Sequence, residues 1–139
     1  MTINYLAVFL CAIAALAIGF AWYSKAMFGK MWMKLMGMDT LSPEAQAAAK
    51  KKMGGLIFAQ LIMSLVSAYV LAYFMALLPT LSGMHLAFWV WLGFLMPTAA
   101  GAAIWSGKPS KMAWNMFFIT ALCELVTFMV FGLILGAMK

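Results

Sequence analysis

The chain has 139 residues, of which 68% are hydrophobic and only 9% charged. A soluble domain carries roughly a quarter charged residues, so a water-facing globular fold is excluded, and the length allows one integral-membrane domain spanning residues 1–139. The formal charge of +6 comes from nine lysines and no arginine. The side chain that reads bases and phosphates bidentately is therefore missing, no nucleic-acid partner is expected, and the charge speaks instead of membrane topology.

Four apolar runs follow one another. The first covers about residues 4–24, with Asn4 at its head and Trp22-Tyr23-Ser24 at its end. A lysine-bearing segment, 25–53, comes next. In it Met27, Met31 and Leu35 recur at every fourth position, as do Phe28, Trp32 and Met36, while Lys25, Lys30 and Lys34 take other positions. That pattern predicts a short amphipathic helix lying in the headgroup plane. Ser42, Pro43 and Glu44 then supply an N-cap, a first-turn proline and a first-turn acid, the signature of a new helix. This helix is expected to continue into the second run, about 54–78, with Gly54-Gly55 as a bend. The stretch "PTLSGMH" (79–85) turns the chain into the third run, about 86–106, which ends at "GKPSK" (107–111). The fourth run covers about 115–138. Each is ~20 residues or longer, enough to cross ~30 Å of hydrocarbon, and none alternates strictly. The expected fold class is all-α: a four-helix transmembrane bundle with a short interfacial amphipathic helix.

Lysine placement orients the bundle. Lys25, Lys30, Lys34, Lys50, Lys51 and Lys52 lie between the first two runs, and Lys108 and Lys111 between the last two. The positive-inside rule puts both connections in the cytoplasm and both termini outside. Trp22, Tyr23, Trp105 and Trp114 fall at the inner interface, and Tyr5, Tyr73 and Trp89 toward the outer one. Besides the bilayer itself, anionic lipid headgroups are the expected partner of the lysine-rich face, at ~1 kcal/mol per lysine. The two cytoplasmic edges also echo each other: "WYSKAMFGKMW" and "WSGKPSKMAW" both run aromatic, Ser, Lys, Trp, and Gly19 precedes Ser24 by the distance that Gly101 precedes Ser106. Two helical hairpins related by a parallel repeat would produce this.

Glu124 stands inside the fourth run, where a charge at a helix centre costs ~2.5–3.5 kcal/mol and usually faces a bundle interior or a cavity. Thr120 and Thr127 share its helix face. At ~1.5 Å per residue it lies ~13 Å from the cytoplasmic edge, a depth at which other runs place Ser64, Pro97 and Thr98. Pro97 has no N–H for the Gly93 carbonyl, which leaves an acceptor for a protonated Glu124. Two readings stand side by side: a protonatable or cation-binding site made by Glu124, Thr120, Thr127, Ser64 and Thr98, and a neutral glutamic acid hydrogen-bonded between helices.

Elsewhere the chemistry is sparse. Met31, Met33, Met36 and Met38 have a soft-metal spacing but no accompanying Cys or His, so they read as packing residues. His85 reads as a solvated turn residue. Cys11 and Cys123 sit at different depths and are not expected to pair. The four-spaced stripes Cys11, Ala15, Gly19 and Gly93, Pro97, Gly101 predict close helix–helix contact. No nucleophile–base set, metal spacing or phosphate loop occurs, so no catalytic residues, metal or cofactor are expected.

Asn4, "GFAWYS" (19–24), "MFGKMWMKLMG" (27–37), "LGFLMPT" (92–98), "SGKP" (106–109) and "FGLILG" (131–136) together resemble the bacterial integral-membrane family catalogued as domain of unknown function seventeen sixty-one. The resemblance covers essentially the whole chain. It implies four spans in a bacterial inner membrane and no established activity. It also singles out a cytoplasmic interface of Trp22, Tyr23, Ser24, Phe28, Gly29, Lys30, Lys108 and Pro109, together with Thr98. The leading expectation is a homo-oligomer that moves or senses a small solute or ion at Glu124. The alternative is an accessory protein holding anionic lipid or a partner on its Lys- and Trp-rich face.

Overall fold

A computed structural model describes residues 2–139. In chain order the elements are α1 (Tyr5–Trp22), α2 (Gly29–Leu35), a short 3-10 turn (Met38–Thr40), α3 (Pro43–Leu77), α4 (Gly83–Val90), a π turn (Trp91–Leu95), α5 (Met96–Ile104) and α6 (Ser110–Ala137), with no strand among the described residues. Four helices are long and apolar enough to cross a membrane: α1, α3, the α4–π–α5 rod (Gly83–Ile104) and α6.

Local chemistry sets the helix starts. The Asn4 side chain accepts from the Ala7 amide at 3.2 Å and its own amide donates to the Met138 carbonyl at 2.8 Å, so one residue caps α1 and ties it to the end of α6. Ser42 accepts from the Ala45 amide at 3.2 Å, with Pro43 in the first helical position. From there α3 runs unbroken through Gly54 and Gly55 for 35 residues, about 52 Å of helix. Ser82 accepts from the His85 amide and opens α4.

The third rod is not a plain α-helix. A regular turn would push the Pro97 ring into the Gly93 carbonyl, and the chain instead widens into the π turn just upstream, where the Met96 amide reaches the Trp91 carbonyl. Thr98 Oγ1 bonds the Phe94 carbonyl at 2.6 Å on the same rod.

Packing makes α6 the hub. It contacts α4, α1 and α5, whereas α3 leans chiefly on α1. The core lies toward the end that holds the termini, where Val8, Cys11, Leu71, Met75, Phe131 and Leu135 meet. The closest helix approach is there too: a Cβ built on Gly83 or Gly132 would fall inside 3.0 Å of the other's backbone. This corrects the expected stripes. Cys11 is fully buried, but Gly19, Gly93 and Gly101 have open space where a Cβ would stand, so the close contact is made by Gly83 and Gly132 instead. All buried residues of α3 lie between Ser64 and Met75. Its first half therefore stands away from the bundle at the lysine-rich end.

At that end α2 folds back under the bundle. Phe28 packs on Trp22 with ring centroids 4.9 Å apart, Trp32 on Tyr23 at 5.2 Å, and Leu35 is buried. Met27, Met31, Met33 and Met36 remain exposed, so the apolar residues of this helix divide between the protein and the outside. Gly29 makes the reversal fit: its amide donates to the Ser24 carbonyl at 2.9 Å, and a Cβ there would lie 2.7 Å from that same carbonyl. The sequence echo has a structural counterpart. The Ser24 and Ser106 hydroxyls donate to the carbonyls of Ala21 and Ala103 at 2.7 and 2.8 Å, and the amides of Tyr23 and Trp105 both reach back to glycine carbonyls, Gly19 and Gly101.

Candidate functional site: a cleft around Glu124

Because α3 stands off from α6, a cleft of about 710 Å³ opens between α1, α3 and α6. Two of its edges are polar. Gln60, Ser64 and Ser67 come from α3, and Thr120, Glu124 and Thr127 from α6. Both triplets are spaced four then three, which keeps each on one helix face. The remaining wall is apolar and aromatic, with Phe20 from α1, Tyr23 just past its end, and Phe128 and Phe131 from α6.

Glu124 is the one acidic side chain in this lining, and none of the nine lysines shares it. Its Oε2 is buried and meets no hydrogen-bond partner among the described residues. Among the described residues, Oε2 thus makes no interhelical bond of the kind that would make it structural glue. The neighbouring polar groups are partly engaged. Gln60 Nε2 donates to Ser64 Oγ at 3.4 Å, and Thr127 Oγ1 donates to the Cys123 carbonyl at 2.8 Å.

A second, shallower groove of about 370 Å³ lies between α6 and the third rod, against Phe94, Thr98, Ala99 and Ala102. Leu95, Thr120 and Glu124 line both spaces. Glu124 therefore sits at the partition between them, next to the π turn. Two indoles brace this stretch of α6: Trp22 Nε1 donates to the Ile119 carbonyl at 3.0 Å and Trp91 Nε1 to the Ala121 carbonyl at 2.8 Å.

Of the residues expected at one site, Thr120, Glu124, Thr127 and Ser64 meet in the cleft, while Thr98 faces the groove instead. The reason is that Thr98 lies past the π turn on α5, which packs against α6 and bounds the groove. Gln60 and Ser67 were not anticipated, although a glutamine inside an apolar run at the spacing of the α6 stripe is a readable signal. Tyr23, assigned to the interface, also lines the cleft. The other interface residues take separate tasks. Trp22, Ser24, Phe28 and Gly29 build the α1–α2 reversal, Pro109 directly precedes α6, and Lys30 is exposed. Lys108 Nζ donates to the Leu35 carbonyl at 2.7 Å, tying the α5–α6 loop to the end of α2. Cys11 and Cys123 are both free thiols, and no group of three metal-type ligands occurs among the described residues.

Comparison with curated proteins and with solved structures gives no match. A family model described as a protein of unknown function (DUF1761) matches residues 6–136, a range that contains every residue of the cleft and the groove. The chain belongs to this DUF1761 family.

Proposed function

We propose that the protein moves or senses a small cationic solute across a membrane, with Glu124 as the binding carboxylate. The observation that carries this reading is the buried, unpartnered Oε2 at the partition between cleft and groove. An unmet acceptor at membrane depth is costly, and such acids mark solute or proton pathways when they face a cavity. Glu124 holds a proton when the cleft is empty and gives it up as a cation arrives, which couples the two. The lysine distribution supports a cytoplasmic placement of the α2 end, with both termini outside, in a bacterial inner membrane. The groove opens between α5 and α6. A second copy covering it would complete a pathway that a thin four-helix chain cannot enclose alone, so the working form is a homo-oligomer.

The test is proton flux in liposomes carrying a pH-sensitive dye, under imposed gradients of sodium, potassium or organic cations. Wild type should show proton counterflow for at least one cation, and Glu124→Gln should lose it. Equal rates in wild type, Glu124→Gln and protein-free vesicles for every cation would overturn the reading.

A second reading is favoured by the surface at the lysine-rich end, where Trp105 is 88% exposed and Lys25, Lys30 and Lys34 are exposed as well. There the protein serves to hold anionic lipid. Neutralising Lys25, Lys30 and Lys34 together should release co-purifying anionic lipid, read by mass spectrometry of the extracted protein, and unchanged lipid content would exclude it.

A further inference from the structure

We propose that the solute of the cleft is a lipophilic, monovalent organic cation and not a bare metal ion. This rests on the reading of Glu124 as the binding carboxylate and adds the chemical class of what it binds.

Charge sets the valence. One carboxylate with no lysine in the lining balances one positive charge, and a divalent ion would leave a charge unpaired in an apolar surround. The oxygen supply argues against an inorganic ion. Such an ion must have its hydration shell replaced by several close oxygens, and membrane sites obtain them from unwound backbone. Here α1, α3 and α6 pass the cleft as unbroken helices, so their carbonyls are committed to the helices themselves, and the π turn borders the cleft only through Leu95. Apart from the Glu124 carboxyl, the side-chain oxygens lining it from these helices are single hydroxyls and one amide carried on separate helices, Gln60, Ser64 and Ser67 on α3 and Thr120 and Thr127 on α6. Size and wall character point the same way. About 710 Å³ falls in the range of sites for drug-sized molecules and far exceeds a single ion. Phe20 and Tyr23 give ring surfaces for an alkylated or aromatic ammonium, while Gln60, Ser67 and Thr120 can meet a polar substituent.

The structure also offers a way to fill the cleft without touching Glu124. Gly19 lines it, and a Cβ there meets no atom within 4 Å. Gly19→Phe should therefore project its ring into the cleft and leave the fold in place.

The experiment is a fluorescence titration of purified protein in micelles with a dansyl-tagged trimethylammonium probe, set beside its uncharged tert-butyl isostere. The expected result is saturable binding of the cation, at least tenfold weaker for the isostere and at least tenfold weaker in both Gly19→Phe and Glu124→Gln. Sodium or potassium at 100-fold excess over the probe should not displace it. Equal binding of the isostere, displacement by sodium, or no binding to wild type would overturn the proposal. Unchanged binding in Gly19→Phe would also overturn it, provided circular dichroism shows that the variant is folded. Failure here alongside Glu124-dependent proton flux driven by sodium would leave the proposed function standing with a different solute. Probe binding that needs Glu124, without any flux, would keep the ligand class and remove transport.

Discussion

Gly132→Ala tests the tightest joint in the fold. A Cβ on Gly132 would lie 2.6 Å from the Gly83 carbonyl carbon and 2.8 Å from the Met84 nitrogen, both backbone atoms that cannot rotate away. To restore ordinary contact, α4 and α6 must part by roughly 0.8 Å, and a gap of that size forfeits a quarter to a half of each lost dispersion contact. Between membrane helices close packing is the main source of association, so the neighbours Met75, Leu86 and Leu135 lose what holds them. We expect a cost of about 3 kcal/mol, at the upper end for overpacking. The control is Gly101→Ala, where a Cβ meets nothing within 4 Å. It should be neutral or gain up to about 1 kcal/mol from helix propensity. Reversible unfolding by SDS in mixed micelles, followed by circular dichroism, separates the two. Identical transitions for Gly132→Ala and Gly101→Ala would refute the close-contact argument.

Three further substitutions report on other joints. Gly29→Ala should break the Ser24–Gly29 bond and free α2, raising hydrogen exchange in residues 25–42 while α6 stays protected; unchanged exchange would show that the turn tolerates a Cβ. Asn4→Ala removes both the α1 cap and the bond to Met138, and should cost about 1–2 kcal/mol in the same SDS assay. Trp22→Phe keeps the stacking on Phe28 but loses the bond to the Ile119 carbonyl, for about 1 kcal/mol; a loss as large as that of Gly132→Ala would mean the ring's packing, and not its N–H, is what matters.

The helices themselves are legible in the sequence because hydrophobic length and capping are local. Ser42-Pro43-Glu44 announces α3, and the observed helix starts at Pro43. Glu124 with Thr120 and Thr127 is equally local, since one helix carries all three. What escaped are features set by how helices lean on one another. Gly83 and Gly132 lie 49 positions apart in the chain, and although Gly132 and Gly136 are themselves four apart, nothing local says that Gly83 is what they meet. The π turn follows from Pro97, yet a proline can also be met by a kink, and the sequence does not choose between them. By depth alone Thr98 groups with Ser64. Depth says nothing of azimuth, and the two residues fall on opposite sides of Glu124.

The position of the cleft follows from an asymmetry between two otherwise similar hairpins. α1 and α5 end with the same hydroxyl and amide bonds to their last turns. Beyond those ends the chains differ. From α5 to α6 the link is only residues 105–109, closed by a left-handed turn at Gly107 with φ +74° and pinned to α2 through Lys108. From α1 to α3 it is residues 23–42, with α2 and the 3-10 turn included. A short link holds α5 and α6 together at the lysine-rich end, whereas a long one lets α3 lean out. At the opposite end the Gly83–Gly132 contact and the core around Phe131 hold all four rods together. The bundle is therefore hinged at one end and open at the other, on the α3 side only, and the open side is where the Glu124 stripe faces. A carboxylate that would have to be sealed between helices in a symmetric bundle here borders a cleft, which is the geometric condition for it to exchange a proton for a ligand.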